Sequence, residues 1–214
     1  GGALLLLGGH MPLSHGAEQL AERFDVFFQG GFTFPRDPKV NERIIPPEYW
    51  FRSDLLAAVD GEAVRNDARD GVQQLEDSDS ACRPVPEHPI FAGRFSEERV
   101  PSMRSSWATQ ALRLRPGGKA EPLLVLNGEC LLLLPSREWQ FSAQTPRIRA
   151  DGFLVAATVN VGKGRAVLFG VNAVWLTAQM RQGKPWGMNQ PDAEHNAQFV
   201  LNTMHWLTRL LPAE

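Results

Sequence analysis

Five histidines and two cysteines are the side chains of this 214-residue chain with the widest chemical range, and their neighbours decide what each could do. His10 stands in GGHMPLSHG (8–16), directly after the apolar run Ala3–Leu7. Five apolar residues bounded by glycines read as a strand buried on both faces. His10 therefore falls at the carboxyl end of a strand, where open α/β sheets keep their ligands. Gly8 and Gly9 would let a ligand or another backbone approach. Ser14, which also reads as a helix cap, and Asn172, just past the apolar stretch that ends in VLFG, complete the candidate ligand-binding set. The same residues also suit a plain strand-to-helix turn in which the histidine bonds a backbone carbonyl. His15, in the first turn of the following helix, meets the positive end of the helix dipole and reads as a surface residue.

Glu87-His88 precedes Pro89-Ile90-Phe91 in what reads as a loop leading into a strand, and Glu194-His195 falls in the first turn of the last helix. With His10 these could form an acid/base pair or hold a divalent metal, His10 and His88 as acid/base groups or ligands and Glu87 as base or orienter. No HExxH or HxH spacing joins them. Any such site has to be assembled by the tertiary fold. Cys130 follows Gly128-Glu129, but Leu131 and Leu132 come after it where a nucleophile elbow needs a sharp turn and a glycine. It reads as the start of a buried strand. No GxSxG occurs, and Ser102, Ser105 or Ser106 would act as nucleophile only beside a base. The acidic run at 76–80 lacks the central glycine and closing glutamate of an EF-hand. Gly162-Lys163-Gly164 joins two apolar stretches where a phosphate loop would open a helix.

The elements that must position these residues are partly legible. Ser14 can cap a helix over 15–24 in which Ala17, Leu20, Ala21 and Phe24 share a face, and Val26–Phe28 reads as a short strand. Residues 30–54, with four prolines, read as an irregular excursion anchored by aromatic side chains, and 60–86 as an acidic surface insertion. Asn127-Gly128 between the apolar stretches 123–126 and 130–134 predicts a hairpin, and Gly162-Lys163-Gly164 between 153–161 and 165–169 a second one. After Pro191 and a candidate cap at Asp192, a final helix follows. Its expected buried residues are Phe199, Val200, Met204, Leu207 and Leu210, with Gln198, Asn202 and Arg209 toward solvent. On that expectation Met204→Ala or Leu207→Ala would cost about 2–5 kcal/mol.

Composition narrows the classes. Twenty-two basic and 24 acidic side chains give a net charge of −2, too small a field to gather nucleic acid. The longest apolar runs fall far short of the roughly 20 residues of a spanning helix. Two cysteines without CxxC spacing define neither a disulfide framework nor a zinc site. The whole chain reads as one α/β domain of mixed sheet flanked by helices, with antiparallel hairpins in its second half.

The segments EHPIFAGR (87–94), EPLLVLNGECLLLLPSREWQFSAQTPRI (121–148), VGKGRAVLFG (161–170) and MNQPDAEHNAQFVLNTMHWLTRLL (188–211) resemble an uncharacterised bacterial envelope family with a class I glutamine amidotransferase-like, flavodoxin-like fold. The resemblance implies a parallel sheet with an antiparallel extension and a periplasmic or envelope location. It also implies βα units ahead of the present start, so Ala3–Leu7 would offer a free sheet edge for self-association, or for shielding by the aromatic residues of 30–54. Two departures stand out: Gly9 replaces the family's acid before HMP, and Val171-Asn172-Ala173 carries none. Two functional expectations result. One is a ligand-binding or accessory domain of the envelope, binding a small molecule without an amidotransferase nucleophile. The other is a hydrolase of a small ester, lactone or amide, with or without a metal.

Overall fold

The computed structural model describes residues 1–12, 15–35, 82–85, 87–103, 109–126, 130–138, 140, 145–150, 152–171, 177–181, 184–190 and 193–213. The described strands, in chain order, are β1 (Ala3–Leu7), β2 (Val26–Phe28), β3 (Phe32–Pro35), β4 (Cys82–Pro84), β5 (Leu112–Leu114), β6 (Ala120–Leu126), β7 (Cys130–Leu133), β8 (Arg147–Arg149), β9 (Leu154–Val161), β10 (Gly164–Phe169), β11 (Ala178–Arg181) and β12 (Lys184–Gly187). The described α-helices are α1 (His15–Glu22), the single turn α2 (Pro89–Ala92) and α3 (Asn196–Leu207). This is a mixed α/β architecture.

The main sheet has seven strands among the described residues and centres on β9 and β10. β1 runs parallel to β10, Ala3 opposite Arg165 and Leu7 opposite Phe169. β10 and β9 form the antiparallel hairpin expected from Gly162-Lys163-Gly164, with Gly162 at φ 57°, a conformation that side-chain-free glycine adopts readily. β9 also pairs with β6 and, at Leu154, with β5; β4 lies beyond β6, and β2 beyond β5. Among the described residues β10 is the one strand paired with β1. Its opposite edge is where a further strand would add.

Alternation along these strands divides the core in two. Leu5 and Leu7 of β1 and Val167 and Phe169 of β10 face one cluster, which contains Ile90 and Phe91 of α2 and Phe199, Trp206 and Leu207 of α3. Leu4 and Leu6, with Ala166 and Leu168, face the other, which contains Ala21 of α1 together with Phe24 and Val26. Because apolar side chains project to both faces, ALLLL carries no polar alternation.

Four expectations are corrected. β6 and β7 are not hairpin partners: β6 pairs with β4 and β9, whereas β7 lies between β3 and β8 in a separate three-stranded sheet. All four residues of β7 are buried, so its sequence has no polar face to show which sheet it joins. Residues 32–35, inside the stretch read as irregular, form β3, held antiparallel to β7 from Phe32↔Leu133 to Pro35↔Cys130. Residues 82–84, at the end of the acidic stretch, form β4; the aromatic residues at 49–51 and the acids at 60–80 lie outside the described residues. Glu87-His88 leads into α2, not into a strand.

The terminal helix α3 also differs from its expected form. It begins at Asn196 with His195 at its N-cap, while Asp192 lies outside the described residues. Its buried face is Phe199, Asn202, Thr203, Trp206 and Leu207. Met204 is 44% and Leu210 59% exposed, and Val200 is half-buried. Two of the buried positions are polar yet satisfied: Thr203 donates to Phe199 O at 2.8 Å, and Asn202 Nδ2 donates to Ile90 O and Glu98 O at 2.8 and 2.7 Å. Arg209, at φ 68°, turns the chain in the left-handed region, which sends Leu210 outward and Leu211 into the core.

Candidate functional site

The carboxyl end of the β1–β10 pair is built from five chain segments. Gly8 N–H donates to Phe169 O at 2.7 Å, extending the parallel pairing one residue past β1. Gly170 N–H then donates to Val155 O, and Gln110 N–H to Gly170 O at 2.8 Å. Beside them Thr33 N–H and its hydroxyl both donate to Thr109 O, at 2.9 and 3.0 Å, tying β3 of the small sheet to the main one. The two sheets meet here.

His10 projects into this junction. It is buried, and its ring stacks on Phe32 with centroids 4.6 Å apart and planes 21° from parallel. Nδ1 lies 2.7 Å from Met11 O, so this nitrogen carries the proton and donates it to the carbonyl. Glu138 Oε1, from the exposed turn after β7, is 3.7 Å from the same nitrogen. The carbonyl bond expected of a turn histidine and a position at the sheet's carboxyl end thus coexist in one residue.

Gly8 and Gly9 are both buried, and Gly8 has a packing reason of its own. A Cβ there would sit 2.3 Å from the Phe28 ring and 3.1 Å from Phe169 O. Gly8→Ala is therefore expected to lower stability by about 1–3 kcal/mol through overpacking, read as a lowered urea midpoint; an unchanged midpoint would show that Phe28 moves aside freely. Ser14 and Asn172 lie outside the described residues, as do Ser105 and Ser106.

His88 occupies a different place, on the α3 side of the sheet. Its Nδ1 accepts from Ile90 N–H at 3.2 Å, capping α2. The ring proton is then on Nε2, which donates to Thr158 Oγ1 of β9 at 3.2 Å. The Trp206 ring of α3 is 5.5 Å away, tilted by 51°. Burial, and secondly the Arg165 guanidinium, push the imidazole down to about 4. Arg165 itself donates from one nitrogen to Trp206 O and Leu211 O at 2.6 and 2.8 Å and lies 5.0 Å from the Trp206 ring centroid. Sequence reasoning missed Thr158, Arg165 and Trp206 as partners of His88. Nothing in spacing links residues so far apart in the chain.

Glu87, the expected base, is exposed beside its buried neighbour. Glu194 lies 3.5 Å from His195 and is exposed. Cys130 is buried at the start of β7, as its apolar neighbours predict. Among the described residues no group of three or more His, Cys, Asp or Glu side chains could hold a metal ion, and no helix is long and apolar enough to cross a membrane. The two histidines contact different elements: His10 meets Phe32, Met11 and Glu138, and His88 meets Ile90, Thr158 and Trp206. Comparison with protein-family models, with curated proteins and with solved structures gives no match for this chain.

Proposed function

We propose that the chain is a ligand-binding or accessory domain that takes a small polar molecule at the carboxyl end of β1 and β10, beside His10 and Glu138. The observation carrying this reading is the separation of the two expected catalytic histidines. His88 has both ring nitrogens engaged, by a helix N-terminus and by Thr158, and Glu87 beside it is exposed to solvent. A general base needs an accessible lone pair and a nucleophile or water within reach. His10 instead stands where open α/β sheets place ligands, with an aromatic face behind it and an exposed carboxylate at its edge. The amidotransferase-like, flavodoxin-like fold and the envelope location belong to the same proposal and rest on the sequence resemblance.

Chromogenic esters, lactones and amides, offered with chelator and then with added divalent metals, test it against the hydrolase reading. The expected result is turnover no faster than that of His10→Ala and His88→Ala. Metal-dependent or metal-independent turnover that either substitution abolishes would establish a hydrolase instead.

A further inference from the structure

His88 is where three separately formed elements meet. It closes the first turn of α2, bonds the middle of β9 and packs against Trp206 of α3. A neutral ring with its proton on Nε2 is the one form that fits, since Nδ1 must accept from Ile90 N–H while Nε2 donates. Protonation turns Nδ1 into a donor facing a donor. The helix cap is then lost, and a new cation sits in the core near the Arg165 guanidinium.

We propose that His88 is an acid-released latch, which holds α2 and the C-terminal helix α3 on the sheet when neutral and frees both when protonated. The charged surroundings favour release. From β10 the facing group is the Arg165 cation. From α3 and its end come His205, which faces Glu98, and Arg209, which faces Arg165. Glu98 is already engaged by Arg94 through both carboxylate oxygens, and α2 carries no charged residue. Among these groups no carboxylate faces His88 to stabilise an imidazolium. Asn202 couples the two helices, because it donates to Ile90 O of α2 from the middle of α3.

The sign of the pH effect follows from linkage. An unfolded histidine takes its proton at the ordinary value of 6.5, whereas this one resists protonation down to about 4. The stabilisation is complete above pH 6.5 and is lost as the pH falls toward 4. Hydrogen exchange of the full chain, corrected for intrinsic rates, is expected to lose protection in 89–92 and 196–207 together between about pH 6 and 4. The His88→Gln variant, whose amide can accept from Ile90 N–H and donate to Thr158 without titrating, is expected to keep that protection at least roughly tenfold better at about pH 4.5. Equal pH profiles for the two proteins would overturn the latch. So would NMR of the unmodified chain showing the His88 ring titrating at the ordinary histidine value with α2 and α3 still protected, a measurement that stands even where the variant fails to fold.

Discussion

Trp206→Ala is expected to lower folding stability by about 3–5 kcal/mol, whereas Met204→Ala, two residues away, is expected to change it by less than about 1 kcal/mol. Trp206 is fully buried within the cluster that joins α3 to the sheet. Its ring also lies under Arg165 and beside His88, so truncation opens a large cavity and removes packing from both. Met204 leaves 44% of its surface in water. Urea denaturation of both variants measures the difference directly. Equal losses would mean that the helix is rotated from the register described here.

Asn202→Leu is the second large effect, expected at about 2–4 kcal/mol although the substitution makes the helix more apolar. Leucine is close to asparagine in size, but it leaves the carbonyls of Ile90 and Glu98 without their donor and Gln198 Nε2 without its acceptor. A buried polar group stripped of its partner loses about 1–3 kcal/mol. An Asn202→Leu variant as stable as the original chain would show that water reaches both carbonyls.

Asn202 also shows where sequence reading stops. Counting apolar residues at helical spacing picks out Val200 and Met204 and sends Asn202 to solvent. The folded helix instead buries Asn202 and Thr203, because each finds partners for its polar atoms: Gln198 and Phe199 lie in the same helix, but the Ile90 and Glu98 carbonyls that accept from Asn202 Nδ2 are supplied by the tertiary fold. The β9–β10 hairpin was legible because its turn chemistry is local: glycine supplies the positive φ and the flanking stretches pair in register. The Asn127-Gly128 signal was equally strong, yet β6 and β7 separate into different sheets. A fully apolar strand fits more than one neighbour, and long-range pairing with β3 and β8 decides the matter. The site was legible only in outline. His10's place after a buried strand could be read from its neighbours, but Phe32 and Glu138, far along the chain, reach it through the second sheet. His88's capping of α2 was hidden because Pro89-Ile90-Phe91-Ala92 is a single helical turn, too short to show a period.

The proposal that the β1–β10 carboxyl end is the binding site is tested most directly by two-dimensional NMR of the isotope-labelled chain titrated with a library of small polar fragments. The expected result is that binders shift the signals of Gly8, Gly9, His10 and Phe32 while those of His88, Thr158 and Trp206 stay in place. Binders that instead perturb His88 and Thr158, or a library that moves nothing around His10, would contradict it.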